Sequence, residues 1–336
     1  MISAEELKQT KFTLSNEKIV KDFLATFNLE LTRRSSNSAF FHFFGQKNFG
    51  YSKHIFEIEN QDVMAFFDYL NKSKNLTLNT KKARFSGFRK FMSYIFRKYN
   101  KFFDLEQKVD MYFLLTDDSW QTWGKIGHKK QKIKEVLKKQ EIEVICNFLK
   151  VKDNQKYLMY RILIETGMRK SEVLKIKIDC EDYYTNIETS LEEYLDMNVI
   201  PTEGKTGYKE YPIPKFSELK NLMKRHLKER RRVNVEYREL FLSNRRKPYF
   251  IPCATLNEFL NKNKEIMGFS RNRSLFPHLF RHTLNTLREE MNCPEDIREF
   301  LVGHAPTTSN KRYTHRDRKR KVDLATKYDP YRNIEL

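Results

Sequence analysis

HLFRH at 278–282, VGH at 302–304 and YTH at 313–315 are the stretches on which the reading of this chain turns. In that order, two histidines, an arginine and a tyrosine can converge on one phosphate without a metal-ligand set. Phosphodiester transesterification needs a nucleophile, positive donors for the non-bridging oxygens and a proton for the departing oxygen. Tyr313 offers a phenol. A phenol ordinarily keeps its proton at neutral pH, so attack calls for a nearby base or a cationic pocket that favours the phenolate. Arg281 follows His278 by three positions, which on a helix places the two side chains on one face. A guanidinium is planar and permanently charged, and it grips two phosphate oxygens at once.

Working outward, the gaps from Arg281 to His304 and from His304 to Tyr313, with Gly303 between them, resemble the tyrosine recombinase (phage-type integrase) family. That family's second box reads H-x-x-R, then L-G-H, then Y. Val302 stands here in place of the usual Leu, a change of packing volume only. Upstream, ETGMRKSEVLKI at 165–176 resembles the family's first arginine box, in which a Thr-Gly turn opens a helix carrying the arginine, here Arg169. Glu172 lies one helical turn on and is placed to orient Arg169 through an ion pair. IPTEGKTGYKEYPIP at 200–214 has strand-like ends around a turn marked by Gly204 and Gly207. It is similar to the family's β-hairpin, whose tip lysine protonates the 5′-oxygen. Lys205 matches that lysine, and Lys209 on the same hairpin competes for the role.

The resemblance implies a catalytic set of Arg169, Lys205, His278, Arg281, His304 and Tyr313. The arginines would clamp the phosphate, the histidines would donate hydrogen bonds or act as base, and Tyr313 would become a 3′-phosphotyrosine. No metal and no small-molecule cofactor is expected, because the ester's energy stays in the covalent bond. The implied activity is site-specific recombination or integration on double-stranded DNA, with self-association into dimers or tetramers on that DNA. A fold does not fix a biological task. Two other readings therefore stand beside it: a phage-type repressor that reuses the fold without strand exchange, and a type IB topoisomerase-like enzyme.

The fold class expected is mainly α with a small antiparallel β-sheet or hairpin. Residues 1–116 read as a helical, SAM-like core-binding domain, 117–135 as a basic linker, and 136–336 as a recombinase-type catalytic domain with a charged C-terminal tail. Ile19, Val20, Phe23, Leu24 and Phe27 fall on one helical face behind a cap at Ser15 or Asn16. Asn60 is placed to cap a helix with Val63, Phe66, Phe67 and Leu70 inward, and Phe85, Phe88, Met92, Phe96 and Tyr99 stripe another that starts near Thr80. These aromatic residues keep the helical period, so they read as core rather than as base-stacking platforms. Lys81, Lys82, Arg84, Arg89 and Lys90 crowd the other faces of the last helix and are candidate DNA contacts. Lys129, Lys130 and Lys132 in the linker are candidates for the phosphate backbone. Residues 179–198 are acidic and read as an insertion that covers the sheet or meets another protomer.

Composition agrees with a polyanionic partner. The 336 residues hold 64 Lys and Arg against 44 Asp and Glu, a formal charge of +20. Cys146, Cys180, Cys253 and Cys293 are widely separated, so neither a zinc site nor a disulfide framework is indicated. No stretch approaches the roughly 20 apolar residues of a membrane span and the first residues lack a signal pattern, which together imply a cytoplasmic protein.

Overall fold

A computed structural model describes residues 15–27, 39–40, 42–45, 49–103, 107, 136–182, 185–204, 207–249, 254–303 and 318–336. They fall into two compact units that divide between Gln131 and Lys132. The architecture is mostly helical, with two small two-stranded antiparallel sheets among the described residues.

The first unit is built on α1 (Asn16–Ala25), α2 (Asn60–Lys72) and α3 (Leu78–Lys98). Ser15 caps α1 by accepting the Lys18 amide, so of the two capping candidates the serine is used. For α2 the cap falls one residue earlier than expected: Glu59 precedes the helix, and its amide donates to Asp62. For α3 it is Thr77, whose hydroxyl accepts the Thr80 amide. The expected stripe of α3 is buried at Phe85, Phe88 and Met92 and is widened by Phe91 and Ile95. Rings fill this core: Phe43 meets Phe66 edge to face at 5.0 Å and lies tilted against Phe88 at 4.6 Å, and Phe91 meets Phe40 edge to face at 4.6 Å. Burying one such ring contributes roughly 1.5–3 kcal/mol, and each favourable aromatic pair about 0.5–1.5 kcal/mol more. The buried phenylalanines are therefore structural.

The second unit runs α4 (Lys139–Lys152), α5 (Asn154–Thr166), α6 (Lys170–Val173), β1 (Asp179–Glu181), β2 (Glu188–Ser190), α7 (Leu191–Asp196), β3 (Val199–Gly204), β4 (Gly207–Pro212), α8 (Leu219–Arg231), α9 (Ala254–Asn263), α10 (Pro277–Glu290), α11 (Glu295–Leu301) and α12 (Arg318–Lys327). Helix α5 is the centre of the core. It is buried from Tyr157 to Thr166 and packs against α4, α8 and α10. A helix apolar on all sides belongs inside. Its two buried charges, Arg161 and Glu165, pair at 2.6 Å within one turn, which offsets the cost of burying them.

Hairpin β3–β4 pairs Val199 with Pro212 through Gly204 with Gly207. The acidic 179–198 stretch forms its own small hairpin, β1–β2, followed by α7. The described part of the C-terminal tail, α12 onward, packs on its own unit: Lys321 donates to the Glu210 carbonyl, and Thr326 accepts the Lys215 amide.

Candidate active site

Helix α5 ends because Gly167 takes up a left-handed conformation, φ +67°, its amide closing the last turn on the Leu163 carbonyl. A side chain is excluded there twice over. Besides the backbone strain, a Cβ would stand 3.1 Å from Val302 Cγ1 and 3.2 Å from Leu284 Cδ2. The turn delivers Arg169 to the N-cap of α6, half-exposed. Its amide donates to Glu172 Oε2 at 2.8 Å and its Nη1 to Glu172 Oε1 at 3.1 Å. The one-turn spacing read from the sequence thus produces the expected ion pair.

Glu172 is the hub of the site. Only 1% of it is exposed, and its carboxylate also accepts Lys209 Nζ at 3.2 Å and the Tyr211 hydroxyl at 2.7 Å. Burial pushes this carboxyl upward. The Arg169 amide, the Tyr211 hydroxyl, and the charges of Lys209 and Arg169 together outweigh burial and hold it below the usual carboxylate range. The Glu172 carbonyl in turn accepts the Thr202 hydroxyl at 2.7 Å, fixing α6 to β3.

Arg281 arrives from α10, 3% exposed, and its Nη1 donates to the Gly167 carbonyl at 2.7 Å. The same Thr-Gly turn therefore presents one arginine and holds the other. Its Nη2 is shielded from solvent and has no hydrogen-bond partner among the described residues. Burial lowers the Arg281 proton affinity; Tyr211 opposes that shift, and the nearby positive charge of Arg169 adds to it. Two like charges held close beside an unused donor form a pocket that suits an anion.

His278, on the first turn of α10, is exposed, and its ring stands 4.5 Å from that of His282 in an edge-to-face arrangement. Lys205, His304 and Tyr313 lie outside the described residues, as do Lys129, Lys130 and Lys132. Their neighbours are informative. Gly204 and Gly207 flank Lys205, and a Cβ on Gly204 would stand 2.8 Å from Glu172 Oε1. Gly303, which precedes His304, has φ +68°, and a Cβ there would stand 2.9 Å from the Tyr211 hydroxyl.

Lys209 and Tyr211 were the contributions hardest to see in sequence. Lys209 competes with Lys205 as a hairpin lysine, but its place is beside Glu172. Tyr211 carries no motif letter. The available signal is strand alternation, since residues two apart share a face of β4.

Among the α3 cations, Lys82 and Lys90 are exposed and Arg89 is half-exposed. Lys81 donates to the Asn71 carbonyl at 2.6 Å. Arg84 is half-buried: its Nε and Nη1 are shielded from solvent, and burial lowers its proton affinity. The helical period explains this: Arg84 adjoins Phe85 and precedes Phe88 by one turn, so its stem follows the apolar stripe. Among the described residues no cluster of three or more His, Cys, Asp and Glu side chains forms a metal site, and no helix is long and apolar enough to cross a membrane.

Residues 135–320 match the model of the Phage integrase family. Tyrosine recombinase XerC of Leptospira interrogans serogroup Icterohaemorrhagiae serovar copenhageni is 24% identical over 279 residues, covering 82% of this chain and 80% of that protein. XerC of Staphylococcus aureus strain USA300 / TCH1516 is 24% identical over 285 residues, covering 80% and 88%. Among solved structures, XerH recombinase bound to palindromic difH substrate superposes with a TM-score of 0.59 at 20% identity, covering 96% of this chain and 84% of that one. A lambda integrase dimer bound to a COC′ core site gives 0.56 at 13% identity, covering 88% and 97%. Both share the fold described above.

Proposed function

Because the chain belongs to the phage integrase family, we propose that it cuts and rejoins double-stranded DNA at specific sites through a covalent bond between Tyr313 and a 3′-phosphate. The observation that carries this reading is the meeting of Arg169 and Arg281 around one turn, with Arg281 Nη2 buried beside Tyr211 and accepted by no oxygen in good hydrogen-bond geometry among the described residues. A non-bridging phosphate oxygen supplies the acceptor that nitrogen lacks. The charge that builds on the phosphate during attack strengthens both contacts, which is the condition for lowering a barrier rather than merely binding.

In this scheme Arg169 and Arg281 hold the phosphate, and His278 and His304 donate hydrogen bonds to it or take the phenolic proton. Tyr313 attacks phosphorus, the P–O5′ bond breaks, and Lys205 protonates the departing 5′-oxygen. Lys209 is instead a support, since its ammonium is committed to Glu172. The reverse step, attack by a different 5′-hydroxyl on the phosphotyrosine, joins new strands and returns the phenol. The phosphotyrosine conserves the energy of the ester, so the cycle calls for no external energy source.

The family supplies expectations for assembly. Lambda integrase is known as a dimer on a core site and as a tetramer on a Holliday junction. We extend the same self-association on DNA to this chain, with 1–116 as the core-binding domain, 117–135 as a basic linker and 136–336 as the catalytic domain. The formal charge of +20 suits such a clamp.

The test is covalent capture. Random duplexes are selected for binding to the Tyr313→Phe protein, and the recovered sequence is rebuilt as a nicked duplex whose cleaved end diffuses away. Wild type accumulates a protein–DNA band on denaturing gels. Tyr313→Phe gives none while binding within about threefold of wild type, a difference below 1 kcal/mol. Tight retention by wild type with no covalent band would refute the enzyme and favour a DNA-binding regulator.

A further inference from the structure

Strand β4 has a second polar face. Lys209 and Tyr211 meet Glu172, while Tyr208 and Glu210 look the other way, as alternation requires. Arg318, the first residue of α12, arrives on that second face. Its Nε lies 3.0 Å from each Glu210 oxygen, and its Nη2 donates to Glu210 Oε1 at 2.6 Å and to Asp182 Oδ2 at 2.5 Å. Asp182 belongs to the acidic 179–198 stretch and also accepts the Tyr194 hydroxyl at 2.8 Å. The Tyr208 hydroxyl donates to Glu210 Oε1 at 2.8 Å and stands 3.1 Å from the Tyr194 hydroxyl. The guanidinium lies over the Tyr194 ring, 5.1 Å from its centre. One turn on, Lys321 is buried, donates to the Glu210 carbonyl and covers the Phe300 ring at 4.9 Å.

This is more than a surface ion pair. Both carboxylate side chains are 4% exposed and Arg318 is 22% exposed, so solvent screens the cluster weakly. Without Arg318, two buried carboxylates would face each other with that cation gone. One side chain thereby joins three separate elements: the acidic 179–198 stretch, the hairpin and the start of α12.

The position of the cluster gives it meaning. Gly303 packs on Tyr211, and Arg318 is bound to Glu210, the preceding residue of the same strand. The intervening stretch, 304–317, contains His304 and Tyr313. The described residues on either side of it, Gly303 and Arg318, therefore meet consecutive residues of β4, the strand whose other face holds Glu172 beside Arg169.

We propose that Arg318 is a positioning residue for the Tyr313 nucleophile, and that the 179–198 stretch contributes Asp182 and Tyr194 to that anchor. The proposal rests on the recombinase reading above. Arg318 touches neither phosphate nor leaving group. It sets where the nucleophile-bearing stretch ends, and through Glu210 it couples that point to the register of the hairpin.

The experiment uses the full chain and the nicked duplex recovered with the Tyr313→Phe protein. It compares wild type, Arg318→Ala, Arg318→Lys and Asp182→Asn. Three quantities are read for each: the single-turnover rate of covalent capture, the DNA dissociation constant, and hydrogen exchange of amides 318–327 in free protein. Arg318→Ala captures DNA about 10- to 100-fold more slowly, the range that displacement of a reacting group produces, with an affinity within about threefold of wild type. Arg318→Lys recovers part of the rate, because an ammonium keeps the charge but loses the fork. Asp182→Asn slows capture by about fivefold, since the Arg318 guanidinium then meets a neutral amide oxygen in place of a carboxylate.

Arg318→Ala capturing at the wild-type rate overturns the proposal. So does a rate loss matched by an equal loss of affinity. Should Arg318→Ala fail to fold, Asp182→Asn decides: slowed capture with unchanged binding supports the anchor, and an unchanged rate overturns it. If wild type itself captures no DNA, the recombinase reading fails separately. Exchange of 318–327 then judges the anchor, which is overturned if Arg318→Ala leaves protection intact.

Discussion

Replacing Tyr211 by Phe removes one oxygen from the centre of the site, where that hydroxyl donates to Glu172 and faces the Arg281 guanidinium. Tyr211 is fully buried, so the ring keeps its packing while the 2.7 Å hydrogen bond to Glu172 Oε2 is lost. Hydrogen bonds to charged groups contribute about 1.5–3 kcal/mol. Glu172 retains the Arg169 amide on the same oxygen, and Arg169 Nη1 and Lys209 Nζ on the other, so its charge is not orphaned. The expected loss is therefore toward the lower end, about 2 kcal/mol. For a unit of this size each kcal/mol moves the melting midpoint by about 2–4 °C, which puts the shift at about 4–8 °C at pH 7.

The pH dependence fixes the cause. Glu172 is held below its ordinary value of 4.5, so its contribution is fully present above that pH and is lost as pH falls through the lower folded value. The gap between wild type and Tyr211→Phe should narrow on acidification, because the partner in the bond becomes a neutral carboxylic acid. Calorimetric melting across pH 3–8 measures this. A gap under about 1 °C at pH 7, or one that widens in acid, would refute the assignment of the Tyr211 hydroxyl to a charged acceptor.

Three further outcomes follow from the same geometry. Lys205→Ala should slow cleavage by about 10²–10⁴-fold and recover on a substrate whose bridging 5′-oxygen is sulfur, a leaving group that needs no proton, whereas Lys209→Ala should show no such rescue. Gly303→Ala meets both a left-handed backbone and the Tyr211 hydroxyl 2.9 Å from the new Cβ, so chemical denaturation should find it destabilised by about 2 kcal/mol or more. Lys82→Ala and Lys90→Ala should each reduce the salt dependence of DNA affinity by about one counterion, while Arg84→Ala, whose Nε and Nη1 are shielded from solvent, should change that slope less.

The chain states its local structure openly. Apolar positions at helical spacing marked α3, and Phe85, Phe88 and Met92 are buried as that spacing requires. The pairing of Arg169 with Glu172 was legible too, because both lie on one turn opened by a Thr-Gly signal. Even so, the Asn60 cap was off by one, since Glu59 and Asn60 are both polar and the competition is settled by which amide reaches Asp62. The widening of the α3 stripe to Phe91 and Ile95 was also not legible, because a helix surrounded by rings buries more than one face.

What sequence alone determined was the family resemblance, the order of the boxes and the residues that each presents. Such features are properties of short stretches, fixed by spacing, turn chemistry and side-chain type. Tertiary structure alone decided that the Gly167 carbonyl holds Arg281, that Tyr211 and Lys209 rather than solvent surround Glu172, and that Arg318 closes on Asp182 and Glu210. Each of those contacts joins stretches distant in the chain. No periodicity records which buried carboxylate a distant side chain will meet, because that partner is chosen by how helices and hairpin pack once the apolar core has formed.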